Sequence, residues 1–140
     1  MLFWVIAGVL VSCQKDGESG EPAVPTINNI EVGLNNNGIG VVGQDFHFEA
    51  DIVAGKRIDL VKVRIEQREN EAYAGVWRYE VVWEQYRGAR NVSIHKHFDI
   101  PADAVVGTYD FIIDVIDQKG AKLEEVRAIS IYETENVRGG

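Results

Sequence analysis

The chain has 140 residues, 46% of them apolar and 26% charged, with 22 acidic against 14 basic side chains and a formal net charge of −8. That is the composition of one folded domain and excludes a disordered, collagen-like or disulfide-stapled chain. The negative balance repels polyphosphate and argues against nucleic acid as a partner.

Met1 to Leu10 reads MLFWVIAGVL and carries no charged side chain. An apolar run of about ten residues is half of what a bilayer crossing needs and fits the hydrophobic region of an export signal. Such signals open on positive charge, and none precedes this run, so a natural start further upstream is expected. Leu10-Val11-Ser12-Cys13 resembles the lipobox of bacterial lipoproteins. The resemblance implies cleavage before Cys13, diacylation of its thiol and acylation of the new amino terminus. Cys13 is the only cysteine, so no intrachain disulfide can form. Several acyl chains would hold the protein firmly on a membrane.

Residues 14–22 are polar, acidic and glycine-containing, as a flexible tether requires. Gln14-Lys15-Asp16 directly after the cysteine resembles the surface-export signal of Bacteroidota lipoproteins. It implies an outer-membrane lipoprotein facing the cell exterior, with a periplasm-facing one as the alternative. The expected organisation is a signal peptide over 1–12, the acylated cysteine and tether over 13–25, a folded domain over 26–133 and a disordered tail over 134–140.

The folded part alternates with period two, the pattern of half-buried strands. An opening strand is expected near Thr26 to Val32. From Asp45 to Val53, Phe46, Phe48, Ala50 and Ile52 share one face while His47, Glu49 and Asp51 share the other. Ile58 to Arg68, Trp77 to Trp83 and Asn91 to Ile100 repeat the pattern. Lys96 interrupts the inward set of the last, which predicts a bulge or an open end there. Thr108 to Asp117 is apolar on both faces and so reads as a central strand. A final strand runs near Val126 to Tyr132. Turn chemistry separates the runs at Asn35-Asn36-Asn37-Gly38, Val53-Ala54-Gly55-Lys56 and Asp117-Gln118-Lys119-Gly120.

Seven short antiparallel strands and no helical stripe predict an all-β sandwich. The run from Gly107 through Tyr109, Phe111, Ile113, Val115 and Asp117 to Gly120 resembles the sixth strand and following turn of immunoglobulin-like and fibronectin-type sandwiches. That resemblance makes Tyr109 a corner tyrosine whose hydroxyl bonds nearby backbone.

Longer stretches resemble a Bacteroidota lipoprotein family known as domain of unknown function 4625. They are Glu31-Val32-Gly33, the Asp45 to Ile52 strand, Lys56-x-Ile58, His95-x-His97-x-Asp99-Ile100-Pro101, Gly107-x-Tyr109-x-Phe111 and Asp117-x-x-Gly120. The likeness covers roughly residues 26–133 and implies a fold and a location but no reaction. In the family's pattern a histidine often follows the corner tyrosine and another often lies late in the third strand. This chain has Asp110 and Glu66 at those places.

One constellation carries possible chemistry. The chain has three histidines, His47, His95 and His97, and alternation puts all of them on outward faces. In an immunoglobulin-like topology the second and fifth strands are neighbours, which brings the three together. Glu49, Asp51 and Asp99 share that face. Imidazoles with the carboxylates of Glu49 and Asp99 suit Zn²⁺ or another divalent metal. The competing reading is a set of surface hydrogen bonds, since exposed histidine beside carboxylate is common. Trp77, Tyr79, Trp83 and Tyr86 offer a sugar-stacking platform or, more simply, core. Asp114, Asp117 and Gly120 lack the alternating oxygen ligands of a calcium loop. No nucleophile elbow or phosphate loop is present in the sequence.

The expected function is therefore a cell-envelope lipoprotein presenting a non-enzymatic binding or accessory β-sandwich, with a divalent metal on the histidine patch. The alternative is an adhesion module for a surface protein or glycan. A metal-dependent enzyme ranks third.

Overall fold

The structure is a computed structural model that describes residues 23–134. The expected export signal, Cys13, most of the expected tether and residues 135–140 lie outside the described residues. Eight strands follow one another: β1 (Thr26–Val32), β2 (Ile39–Val41), β3 (Asp45–Val53), β4 (Ile58–Gln67), β5 (Tyr79–Val82), β6 (Asn91–Asp99), β7 (Gly107–Asp117) and β8 (Lys122–Tyr132). They form two sheets, one ordered β1-β3-β6 and the other β2-β8-β7-β4-β5. Besides the strands the described residues form two short 3-10 turns, and no helix among them is long and apolar enough to cross a membrane.

The inward set read from alternation forms a shared core. Phe46 and Phe48 of β3 meet Phe111 of β7 at centroid separations of 5.7 and 5.4 Å, so aromatic contacts tie one sheet to the other. Burying each such ring contributes roughly 2 kcal/mol. β7 lies between β4 and β8, covered on both sides, which its apolar outer residue Ile112 requires.

The strand count differs from seven because of β2. Its three residues are too few to alternate, and its partner is distant in sequence: Ile39–Val41 runs parallel to Ser130–Tyr132. The segment before it reverses sharply. Gly33, Asn35, Asn36 and Gly38 all have positive φ, a conformation glycine and asparagine tolerate. That turn carries the chain from the β1 sheet to the β8 sheet. At Gly40 a Cβ would lie 3.3 Å from Ile100 and Phe46, so the crossing is held tightly against the core.

Lys96 produces no bulge, since β3 and β6 pair without a register shift from Asp45↔Asp99 to Val53↔Asn91. Instead it lies at the open side of the two layers. Its ammonium bonds Gln85 at 2.6 Å and sits 5.8 Å from the ring centroids of Trp83 and Tyr86. The Tyr109 hydroxyl donates to the Val105 carbonyl at 2.6 Å, closing the loop that enters β7. Asp117 accepts from the backbone N–H groups of Lys119 and Ala121, and Gly120 takes φ +91°, which together set the β7–β8 hairpin.

Candidate metal centre

β3 and β6 are direct neighbours, and His47 stands opposite His97 while Glu49 stands opposite His95. On antiparallel strands such partners have Cβ atoms about 5 Å apart, so imidazoles placed there must touch. Nδ1 of His47 lies 3.3 Å from Nε2 of His97, which lies 3.2 Å from Nε2 of His95. Ligand atoms of all three fall within 4.8 Å of one another.

Each ring turns its other nitrogen towards a carboxylate. Nδ1 of His97 donates to Asp45 at 2.6 Å. Nε2 of His47 donates to Glu31 at 2.9 Å, with Glu49 at 3.3 Å. Nδ1 of His95 faces Glu49 more loosely, at 3.6 Å. A carboxylate can only accept, so the nitrogens bonded to Asp45 and Glu31 carry the protons. In neutral rings Nδ1 of His47 and Nε2 of His97 are then the unprotonated nitrogens, 3.3 Å apart. Two unprotonated nitrogens at that distance repel, and either a proton shared as a hydrogen bond or a cation bound between them relieves the repulsion. A tetrahedral cation with bonds of about 2.05 Å holds its ligands about 3.3 Å apart, which is the spacing found here.

The three histidines are not equally open. His95 and His97 have side chains 59% and 49% exposed, whereas His47 is buried at 8% although it is on the outer face. The difference comes from β1. Its pairing with β3 shifts between Asn28↔Asp51 and Glu31↔Glu49, so two residues, Asn29 and Ile30, stand against Ala50. A bulge of this kind moves every later side chain to the other face. Without it, Ile30 would stand opposite Glu49. With it, Glu31 does, and its carboxylate covers His47. Asn29 takes φ +53° and donates to Asp51 at 2.7 Å, fastening the bulge.

Of the candidate residues, the fold brings His47, His95, His97 and Glu49 together. Asp99 is not among the converging groups; it pairs in register with Asp45, and the Asp45 carboxylate is the one that reaches His97. Glu31 and Asp45 carried the family resemblance but were not expected as site residues. Asp45 was available from alternation, but Glu31 required knowledge of the bulge.

The outer face of the five-stranded sheet is charged differently. Glu66 and Asp110, the two positions where the resemblance led to an expectation of histidine, are paired in register. Glu66 is held by Arg64 and Arg78, and Asp110 by Arg68. Arg64 also clamps the buried Asp114 at 2.7 Å, and these contacts raise the Arg64 pKa. Those carboxylates already have cations. Of the four aromatics, Trp77 is buried in the core and stacks on Tyr79, while the partly buried Tyr79 and Trp83 stack on Phe98 and Phe48 and the partly buried Tyr86 lies beside the Lys96 ammonium.

A family model described as "Domain of unknown function (DUF4625)" matches residues 11–132. No curated protein matches the chain. Among solved structures, the chain is similar to the sporulation control protein Spo0M from Bacillus subtilis, with a TM-score of 0.50 and 11% identity over 79% of this chain. The match covers 50% of that protein, so this chain spans half its length, and at this identity the likeness concerns the fold alone.

Proposed function

The chain belongs to the DUF4625 family, a family defined by sequence and not by activity, and from that premise we propose a divalent-cation-binding module carried by a cell-envelope lipoprotein. The observation that carries the cation reading is the set of three imidazole nitrogens converging at 3.2 and 3.3 Å with carboxylates behind the rings. Metal-binding histidines are oriented in this way, the rear N–H given to a carboxylate and the front lone pair to the ion. His47, His95 and His97 are the ligands, and Glu31, Glu49 and Asp45 orient them. Neutral nitrogen donors suit Zn²⁺ and its borderline neighbours better than Ca²⁺ or Mg²⁺.

The domain is an immunoglobulin-like sandwich. Support comes from the division of the N-terminal strands between the sheets, β1 beside β3 and β2 parallel to β8. The anchor is Cys13, supported by the lipobox-like Leu10 to Cys13 and the single cysteine. Export through Gln14-Lys15-Asp16 would put the module at the cell surface. Its role is binding rather than catalysis, because the patch lies on a sheet face and a reaction centre favours a cleft.

The test is zinc titration calorimetry on the full chain in detergent beside the His95→Ala, His97→Ala double variant. Submicromolar binding at one site, lost in the variant, is expected. No binding by the wild-type chain, or equal binding by the variant, overturns the reading.

A further inference from the structure

The chain is acidic overall, but its charge is unevenly spread. Three loops meet at one end of the sandwich: residues 54–57 between β3 and β4, 83–90 before β6, and 118–121 between β7 and β8. They carry Lys56, Arg57, Arg87, Arg90 and Lys119, Lys122 opens β8 beside them, and all of these are exposed. Of the carboxylates there, Asp117 is buried and accepts from backbone N–H groups, Asp59 pairs with Arg87 at 3.5 Å, and Glu84 is exposed. The opposite end exposes Asp45, Asp99, Glu69, Glu71 and Asp103, while Arg68 and Arg78 there are held by Asp110 and Glu66.

Backbone bonds fix the three loops on one another. The Ala54 N–H donates to the Arg90 carbonyl, that of Ile58 to Ala89 and that of Gln118 to Arg57, each at 2.8 Å. The Arg57 guanidinium donates to the Gly88 carbonyl at 2.7 Å. The cations are thus displayed on a surface already assembled. The chain enters the domain at this same end, where Thr26 pairs with Val53 and Val53 with Asn91. Residues 14–22 separate Cys13 from Ala23, and a stretch of that length spans at most about 35 Å.

We propose that this basic end lies against the anionic phosphate headgroups of the bilayer that holds the chain's own acyl anchor. The proposal rests on the reading of Cys13 as that anchor. Lys and Arg are attracted to an anionic leaflet within a Debye length of about 10 Å. The tether keeps the domain at high effective concentration beside the surface, so a modest attraction suffices to orient it. The acidic end is repelled and points away. His47 and His97 lie six residues along their strands from Val53 and Asn91, about 20 Å, so the histidine patch is held clear of the headgroups and open to the medium.

Reconstituted vesicles test it. The full chain, purified from membranes in detergent, receives one new thiol by Gln118→Cys at the basic end or Asn70→Cys at the acidic end; the acylated Cys13 takes no label. Each thiol is labelled with a fluorophore, and a nitroxide on a trace of lipid headgroups is the quencher. On vesicles containing phosphatidylglycerol the label at 118 should be quenched at least about threefold more than the label at 70, and the difference should shrink in about 0.5 M salt. Lys56→Glu, Arg90→Glu and Lys119→Glu together should abolish it. Equal quenching at the two ends overturns the inference, as would follow if Asp16, Glu18 and Glu21 of the tether occupied the cations. So does a preference of the same size on neutral phosphatidylcholine vesicles or in the triple variant. A chain that fails to float with neutral vesicles overturns the anchor reading as well, and so separates its failure from that of the inference.

Discussion

Glu31 decides which nitrogen of His47 carries the proton. Its carboxylate accepts from Nε2 at 2.9 Å, which leaves Nδ1 as the lone pair facing His97. Orienting carboxylates of this kind typically change metal affinity by roughly 10- to 100-fold when replaced. Glu31→Gln should therefore weaken zinc binding about tenfold by calorimetry, at the low end because Glu49 remains nearby. Affinity equal to wild type would remove Glu31 from the site. Glu31 was not legible in the sequence as part of this patch. Strict alternation carried through β1 from Asn28 would have put Ile30 on the outer face, and only the extra residue at the bulge exchanges the two. His47, His95 and His97 were legible, because β3 and β6 alternate without interruption.

At the scale of elements, the outer face of the three-stranded sheet is stitched by Asp51. It accepts from Asn29 on β1 at 2.7 Å and from Ser93 on β6 at 2.8 Å. The bonds from Asn29 first and Ser93 second hold its carboxyl below the usual carboxylate range. A lowered folded pKa means that the native state prefers the ionised form. Its stabilising contribution is present above the unfolded value near 3.8 and is lost as pH falls through the lower folded value. Asp51→Asn should thus be less stable than wild type at neutral pH, with the gap in urea midpoints narrowing between about pH 5 and about pH 2. A gap that stays constant over that window would mean that the charge of Asp51 is not what fastens β1 and β6. This stitch was half legible. Asp51 and Ser93 fall on the same face by alternation, but the left-handed Asn29 belongs to a bulge that alternation does not announce.

The molecule as a whole has to keep its sheets apart from those of its neighbours. β6 is an edge strand with nine residues, long enough to recruit another strand. Lys96 opposes that. It points to the inner side among Trp83 and Tyr86, and a second strand laid along β6 would meet its ammonium. An inward charge on an edge is a known device against sheet extension. Lys96→Val would complete the apolar set of Val92, Ile94 and Phe98 and leave a flat apolar edge. Size-exclusion chromatography of that variant should reveal concentration-dependent association absent from wild type. A variant that stays at the wild-type elution volume would show that Lys96 serves only its contact with Gln85 and the rings.

Sequence by itself determined the two-sided character of β3, β4 and β6, the core phenylalanines of β3 and β7, the turn at Gly120 and the common outward face of the three histidines. These follow from a period of two residues and from the limits on φ at single positions, both local properties. Only the tertiary structure decided that β2 crosses to pair with β8, that a bulge delivers Glu31 to His47, and that Asp45 rather than Asp99 orients His97. Each of those depends on which backbone groups from distant parts of the chain bond to one another. Alternation assigns a side chain to a face, and pairing register assigns it a neighbour; the candidate metal centre needs both.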